Sequence, residues 1–151
     1  MIDKNEAQKY LEQVEKLDAI IKNKLIERAQ WRDLALGVTA QMDGERVQSS
    51  GAKDKMASAV EKCVDMESEI DRAVDNLVDT KKEVIQTIEE LYSATEYNVL
   101  HMRFIQYKTL EEIADHYNKN YEWAKKTCQR GMYHVQCVLN KKMSPFVPKN
   151  T

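Results

Sequence analysis

Apolar residues recur at helical spacing in three stretches of the chain. From Asp3 to about Leu36, Tyr10, Val14, Leu17, Ile21, Leu25 and Trp31 return at mostly three- and four-residue steps, with Ala7 and Leu34 extending the stripe. Such spacing lines one face of a helix, and Asp3 with Glu6 has the spacing of a capping box at its start. From Lys55 to Tyr92 the pattern is stricter. Met56, Cys63, Ile70, Leu77, Val84 and Leu91 repeat every seventh residue, and Val60, Val74 and Ile88 form a second apolar position that Glu67 and Lys81 interrupt. This predicts a coiled-coil seam, in which the polar interruptions fix register at a cost in stability. A helix with such a seam is not stable alone in water. Its nearest partner is the first stretch, of similar length. Folding back predicts a long antiparallel helical hairpin over residues 1–92, although the same seam can instead join two chains as a homodimer.

Between these stretches, residues 37–54 lack apolar periodicity and hold Gly37, Gly44 and Gly51, three of the four glycines. They read as a long connecting loop. Arg46, Lys53 and Lys55 can reach phosphate there, but a solvated loop is the stronger reading.

The third stretch, residues 93–143, changes character. Ser93 or Thr95 can cap a new helix that includes Val99, Leu100, Met102, Arg103, Phe104 and Ile105. Leu110, Ile113, Ala114 and Tyr117 then make one face of a short helix, with Thr109 as its cap and Glu111 and Glu112 in its first turn. Asn118 stands where that helix must stop and tolerates a left-handed backbone. Asn120 can cap the next helix, from Tyr121 to about Leu139, whose inner stripe is Ala124, Thr127, Cys128, Gly131, Met132 and Val135. The spacing predicts a helix-turn-helix supported by a third helix, with Arg103 paired to Glu112 across the bundle. Asn120, Tyr121, Glu122, Lys125, Lys126, Gln129 and Arg130 are the candidate DNA-binding residues: polar, mostly long and cationic, on the helix that would enter the major groove. Glu122 among them needs a reason. It either accepts a hydrogen bond from a cytosine amino group or serves the helix N-terminus without touching DNA. The fold class is therefore all-α: a coiled-coil-like hairpin over 1–92, a three-helix unit over 93–143, and a tail over 144–151.

The residues from Val99 to Val135 resemble the C-terminal DNA-binding region, region 4, of bacterial sigma factors. The likeness lies in Met102-Arg103-Phe104, in Leu110-Glu111-Glu112-Ile113-Ala114, and in the capped basic helix after them. The whole chain resembles small phage and prophage proteins of Gram-positive bacteria that pair a helical first half with a sigma-like helix-turn-helix and are described as late-gene transcriptional regulators. The resemblance implies sequence-specific binding of double-stranded DNA and adds host RNA polymerase as a candidate partner. A full sigma factor also carries a promoter-melting domain, for which this chain has no counterpart.

Composition and charge sharpen this picture. Charged residues make up 32%, with only 2 Pro, which favours long helices over sheet. The net charge of −2 hides an asymmetry: residues 1–92 hold 14 Lys/Arg and 20 Asp/Glu, leaving 9 and 5 for residues 93–151. A basic end fits nucleic-acid binding. Cys63, Cys128 and Cys137 form no CxxC pair and read as reduced, mostly buried thiols of a cytoplasmic protein. There is no signal peptide, and no apolar run approaches the roughly 20 residues that span a membrane. His101, His116 and His134 are widely spaced, no HExxH, G-x-S-x-G or phosphate-binding loop is present, and neither an enzyme nor a metal or cofactor is expected. Two alternatives remain: a small terminase-like subunit of phage DNA packaging, whose usual order of DNA-binding and oligomerising parts is reversed here, and a helical protein–protein interaction module.

Overall fold

The structure is a computed structural model that describes the backbone of residues 4–44 and 49–143 and the side chains of 6–37 and 53–142. All described elements are helices: α1 (Lys4–Gly44), α2 (Ser49–Glu89), α3 (Ala94–Leu100), a π-helical turn (His101–Ile105), α4 (Leu110–His116) and α5 (Tyr121–Met143). No strand occurs among the described residues. None of these helices is long and apolar enough to cross a membrane.

The backbone is helical through most of residues 37–54, where a loop is expected: α1 continues to Gly44 and α2 begins at Ser49. A glycine inside a helix costs only roughly 1 kcal/mol against alanine, and Gly37 lies within α1. The expected cap at Asp3 and the tail 144–151 lie outside the described residues.

Two compact units emerge, one made of residues 17–77 and the other of the described residues up to Lys16 together with those from Val78 onward. The unit boundary thus differs from the expected division at 92/93. Within residues 17–77 the two helices run antiparallel. Lys24 pairs with Glu69 at 3.2 Å, Arg28 with Glu67 at 3.7 Å, and the Cys63 thiol faces the Arg28 carbonyl. Ile21, Ala59, Met66 and Ile70 are buried, and Leu17, Trp31, Met56, Cys63, Ala73 and Leu77 are half-buried.

This packing moves the second heptad position of α2 back by one residue. The alternating three- and four-residue step runs Met56, Ala59, Cys63, Met66, Ile70, Ala73, Leu77, whereas Val60 and Val74 are exposed, at 49% and 39%. Glu67 consequently interrupts no seam. It stands on the flank, in its ion pair with Arg28. In α1 the same stepping puts Lys24 and Arg28 at inward positions and leaves Leu25 and Leu34 exposed. Their aliphatic stems can cover the seam while their charged ends reach the partner helix's carboxylates.

In the other unit, Ala7, Leu11 and Val14 of α1 and Val84, Thr87 and Ile88 of α2 are fully buried. The polar Thr87 is tolerated because its hydroxyl is fully engaged. It donates to the Glu83 carbonyl at 3.0 Å, lies 2.8 Å from the Tyr10 hydroxyl and accepts from Lys142 Nζ at 3.0 Å. Lys142, near the end of α5, also pairs with Glu90 at 2.9 Å. These contacts bind the start of α1 and the end of α2 to the C-terminal helices, which is why residues 78–92 do not separate from residues 93–143. Lys81, expected to interrupt the seam, is exposed.

Candidate nucleic-acid interface

Ser93 starts α3, accepting a hydrogen bond from the Glu96 amide at 3.2 Å. The helix then widens into the π-helical turn, in which the Gln106 amide donates to the His101 carbonyl. The five-residue bonding step of such a turn leaves Met102, Phe104 and Ile105 all buried. Tyr107 comes next with φ 62°, and the Lys108 amide closes back onto Met102.

Thr109 then caps α4 with a complete capping box. Its hydroxyl accepts from the Glu112 amide, and the Glu112 carboxylate accepts from the Thr109 amide, both at 3.1 Å. These hydrogen bonds hold the Glu112 carboxyl below its ordinary titration range. The Thr-x-x-Glu spacing signals this box in the sequence. It also engages the expected partner of Arg103, whose guanidinium instead donates to the Lys108 carbonyl at 3.3 Å.

The turn between α4 and α5 is set by two asparagines. Asn118 has φ 54°, with its amide bonded to the Asp115 carbonyl and the Lys119 amide to the Ala114 carbonyl. This pair of bonds is a Schellman closure. Asn120 Oδ1 accepts from the Trp123 amide at 2.8 Å and so starts α5. Trp123 packs on Tyr117 with ring centroids 5.2 Å apart, covering the turn with aromatic surface.

Helix α5 packs on both α3 and α4 through buried Ala124, Thr127, Cys128, Gly131 and Val135. Gly131 permits the closest approach: a Cβ there would sit 3.1 Å from the side chain of fully buried Leu100. Burial pushes the Cys128 thiol up to about 11, so it is protonated and unreactive at neutral pH.

The opposite face carries the candidate residues. Tyr121, Glu122, Lys125, Lys126 and Gln129 are all exposed. Their one- and three-residue steps place them on one continuous stripe from the first turn of α5 onward. Of the other two candidates, Asn120 is exposed but uses its carbonyl oxygen as the helix cap. Arg130 is exposed as well, but its Nε donates to Glu96 Oε2 at 3.3 Å, while His134 Nδ1 lies 2.6 Å from Glu96 Oε1. Glu96 is 7% exposed, and a buried carboxylate needs such partners. This α3–α5 cluster leaves no local trace in the sequence, because its members are 34 and 38 residues apart. Among the described residues, no group of three or more His, Cys, Asp or Glu converges to hold a metal ion.

Comparison with known proteins returns no match among family models, curated proteins or solved structures.

Proposed function

We propose that this protein is a sequence-specific, double-stranded DNA-binding transcriptional regulator of the phage or prophage kind. In this reading, residues 93–143 are a sigma region 4-like helix-turn-helix and residues 1–92 a coiled-coil-like antiparallel hairpin. It acts in the cytoplasm, without catalysis, on DNA, with host RNA polymerase as the candidate protein partner that the sigma resemblance implies. One observation carries the proposal. Tyr121, Glu122, Lys125, Lys126 and Gln129 form an exposed stripe on a helix whose start is fixed by left-handed Asn118 and the Asn120 cap. A helix that presents its first turns in this way suits the major groove, where side chains read base edges and cations meet phosphate.

Selecting bound DNA from a random pool tests the reading and yields a target sequence. Glu122→Ala measured against single-base variants of that sequence then separates its two roles. If Glu122 reads a cytosine, preference at one base pair relaxes by roughly 1–3 kcal/mol. If it serves only the helix N-terminus, the ranking of the variants is unchanged and affinity rises for all of them.

A second reading, association of two copies through the N-terminal helices, is favoured by apolar residues left exposed within residues 17–77. Val60, Val64, Leu25, Ile26 and Leu34 are between 43% and 57% exposed. Sedimentation equilibrium tests it: a monomer at micromolar concentration removes it.

A further inference from the structure

Helix α2 carries a second stripe beside its packed seam. Val60, Val64, Glu67, Asp71 and Val74 follow one another at steps of four and three residues, the spacing that keeps side chains on one face of a helix. The three valines are 49%, 56% and 39% exposed, and Glu67 and Asp71 are exposed as well. The stretch is acidic: residues 60–77 hold Glu61, Asp65, Glu67, Glu69, Asp71 and Asp75 against Lys62 and Arg72, and neither cation falls on the spacing of the stripe.

In the other unit, Val78, Lys81, Lys82, Ile85, Gln86 and Glu89 line an open groove along the end of α2. Val78 is 57% exposed and Ile85 half-buried. Lys81 and Lys82 are exposed beside them, and Glu89 is the one carboxylate among the lining residues. One surface is therefore apolar and acidic, the other apolar and basic.

The two surfaces also match in spacing. Asp71 and Val74 stand five and two residues before Asn76, and Val78 and Lys81 stand two and five residues after it. A helix with this mirrored pattern is complementary to a second copy of itself running antiparallel. A two-fold axis at Asn76 sets Val74 against the partner's Val78 and Asp71 against the partner's Lys81, and symmetry repeats both contacts.

We propose that two copies of the chain associate in this way, the acidic valine stripe of each seated in the basic groove of the other. The proposal rests on the association of two copies that the exposed apolar residues of 17–77 favour, and adds its orientation, its register and the opposing surface. Apolar burial supplies the attraction. The charges fix the orientation, since parallel packing in register would set Asp71 on Asp71 and Lys81 on Lys81.

Sedimentation equilibrium of the full-length protein tests it, with Asp71→Lys and Lys81→Glu measured singly and mixed in equal amounts. Both positions are exposed, and an unchanged helical spectrum checks each variant. Wild type dimerises in the micromolar range. Each single reversal sets like charges against each other on both sides of the axis and weakens association at least about tenfold. The mixture restores dimers of wild-type strength, because every pair across the axis is again opposite in charge. A wild type that stays monomeric throughout the micromolar range removes both the association and this arrangement. A dimer that either reversal leaves at wild-type strength, or two variants that fail to associate when mixed, overturns the arrangement alone.

Discussion

Asn118 holds φ 54° at the turn that aims α5. The left-handed region costs most L-residues roughly 1–2 kcal/mol, with asparagine and glycine the usual exceptions. Asn118→Val should therefore lower stability by about that amount, while Asn118→Gly stays within about 0.5 kcal/mol of wild type; urea denaturation of the two variants checks it, and equal stability would mean that the turn is not strained. His101 supplies a pH dependence. Burial, with Lys81 as a second cause, lowers its folded pKa below the ordinary 6.5. The unfolded chain then binds more protons around that pH, so stability rises with pH. This contribution is complete above about 6.5 and is lost as pH falls below it toward the lowered folded value. An NMR titration of His101 should show a midpoint below 6.5, and a midpoint at or above that value contradicts this. At this scale the sequence is informative wherever chemistry is local: Thr109, Asn118 and Asn120 announce their roles by type and position. The Glu96–Arg130–His134 cluster is not local, so Arg130 is legible as a cation but not as one already engaged.

Among the elements, α4 and the start of α5 fall where the pattern puts them, because caps and stop signals bracket short helices tightly. The long helices are read less well, for two reasons. Glycine content suggests a loop over 37–54, yet each glycine costs a helix only roughly 1 kcal/mol, and α1 runs on to Gly44. In α2, the bulkier valines draw the apparent stripe toward Val60 and Val74, while the packed positions hold the smaller Ala59 and Ala73 beside Met66. Small residues contribute little to an apolar pattern but permit close approach of helices. The two registers make opposite predictions. Met66→Asp places a charge on a side chain only 7% exposed and should cost at least about 3 kcal/mol. Val60→Asp, on an exposed face, should leave the fold of dilute protein within about 0.5 kcal/mol. Thermal melts followed by circular dichroism compare them, and equal destabilisation would return the seam to Val60.

For the whole molecule, a net charge of −2 predicts no general attraction to polyanions, so the proposed DNA binding must depend on local cations. Lys125 and Lys126 are exposed on the α5 stripe, whereas Arg130 is paired with Glu96. The two lysines should therefore dominate phosphate contact on that stripe. Each phosphate contact releases counterions and steepens the fall of affinity with salt. The most direct measurement is the affinity of the selected DNA for wild-type protein and for Lys125→Ala/Lys126→Ala across a series of salt concentrations. A wild-type slope of log affinity against log salt that falls by about two in the double variant, with its helical spectrum retained, is the expected result. An unchanged slope, or no binding by wild type even at low salt, would contradict a DNA-reading role for α5.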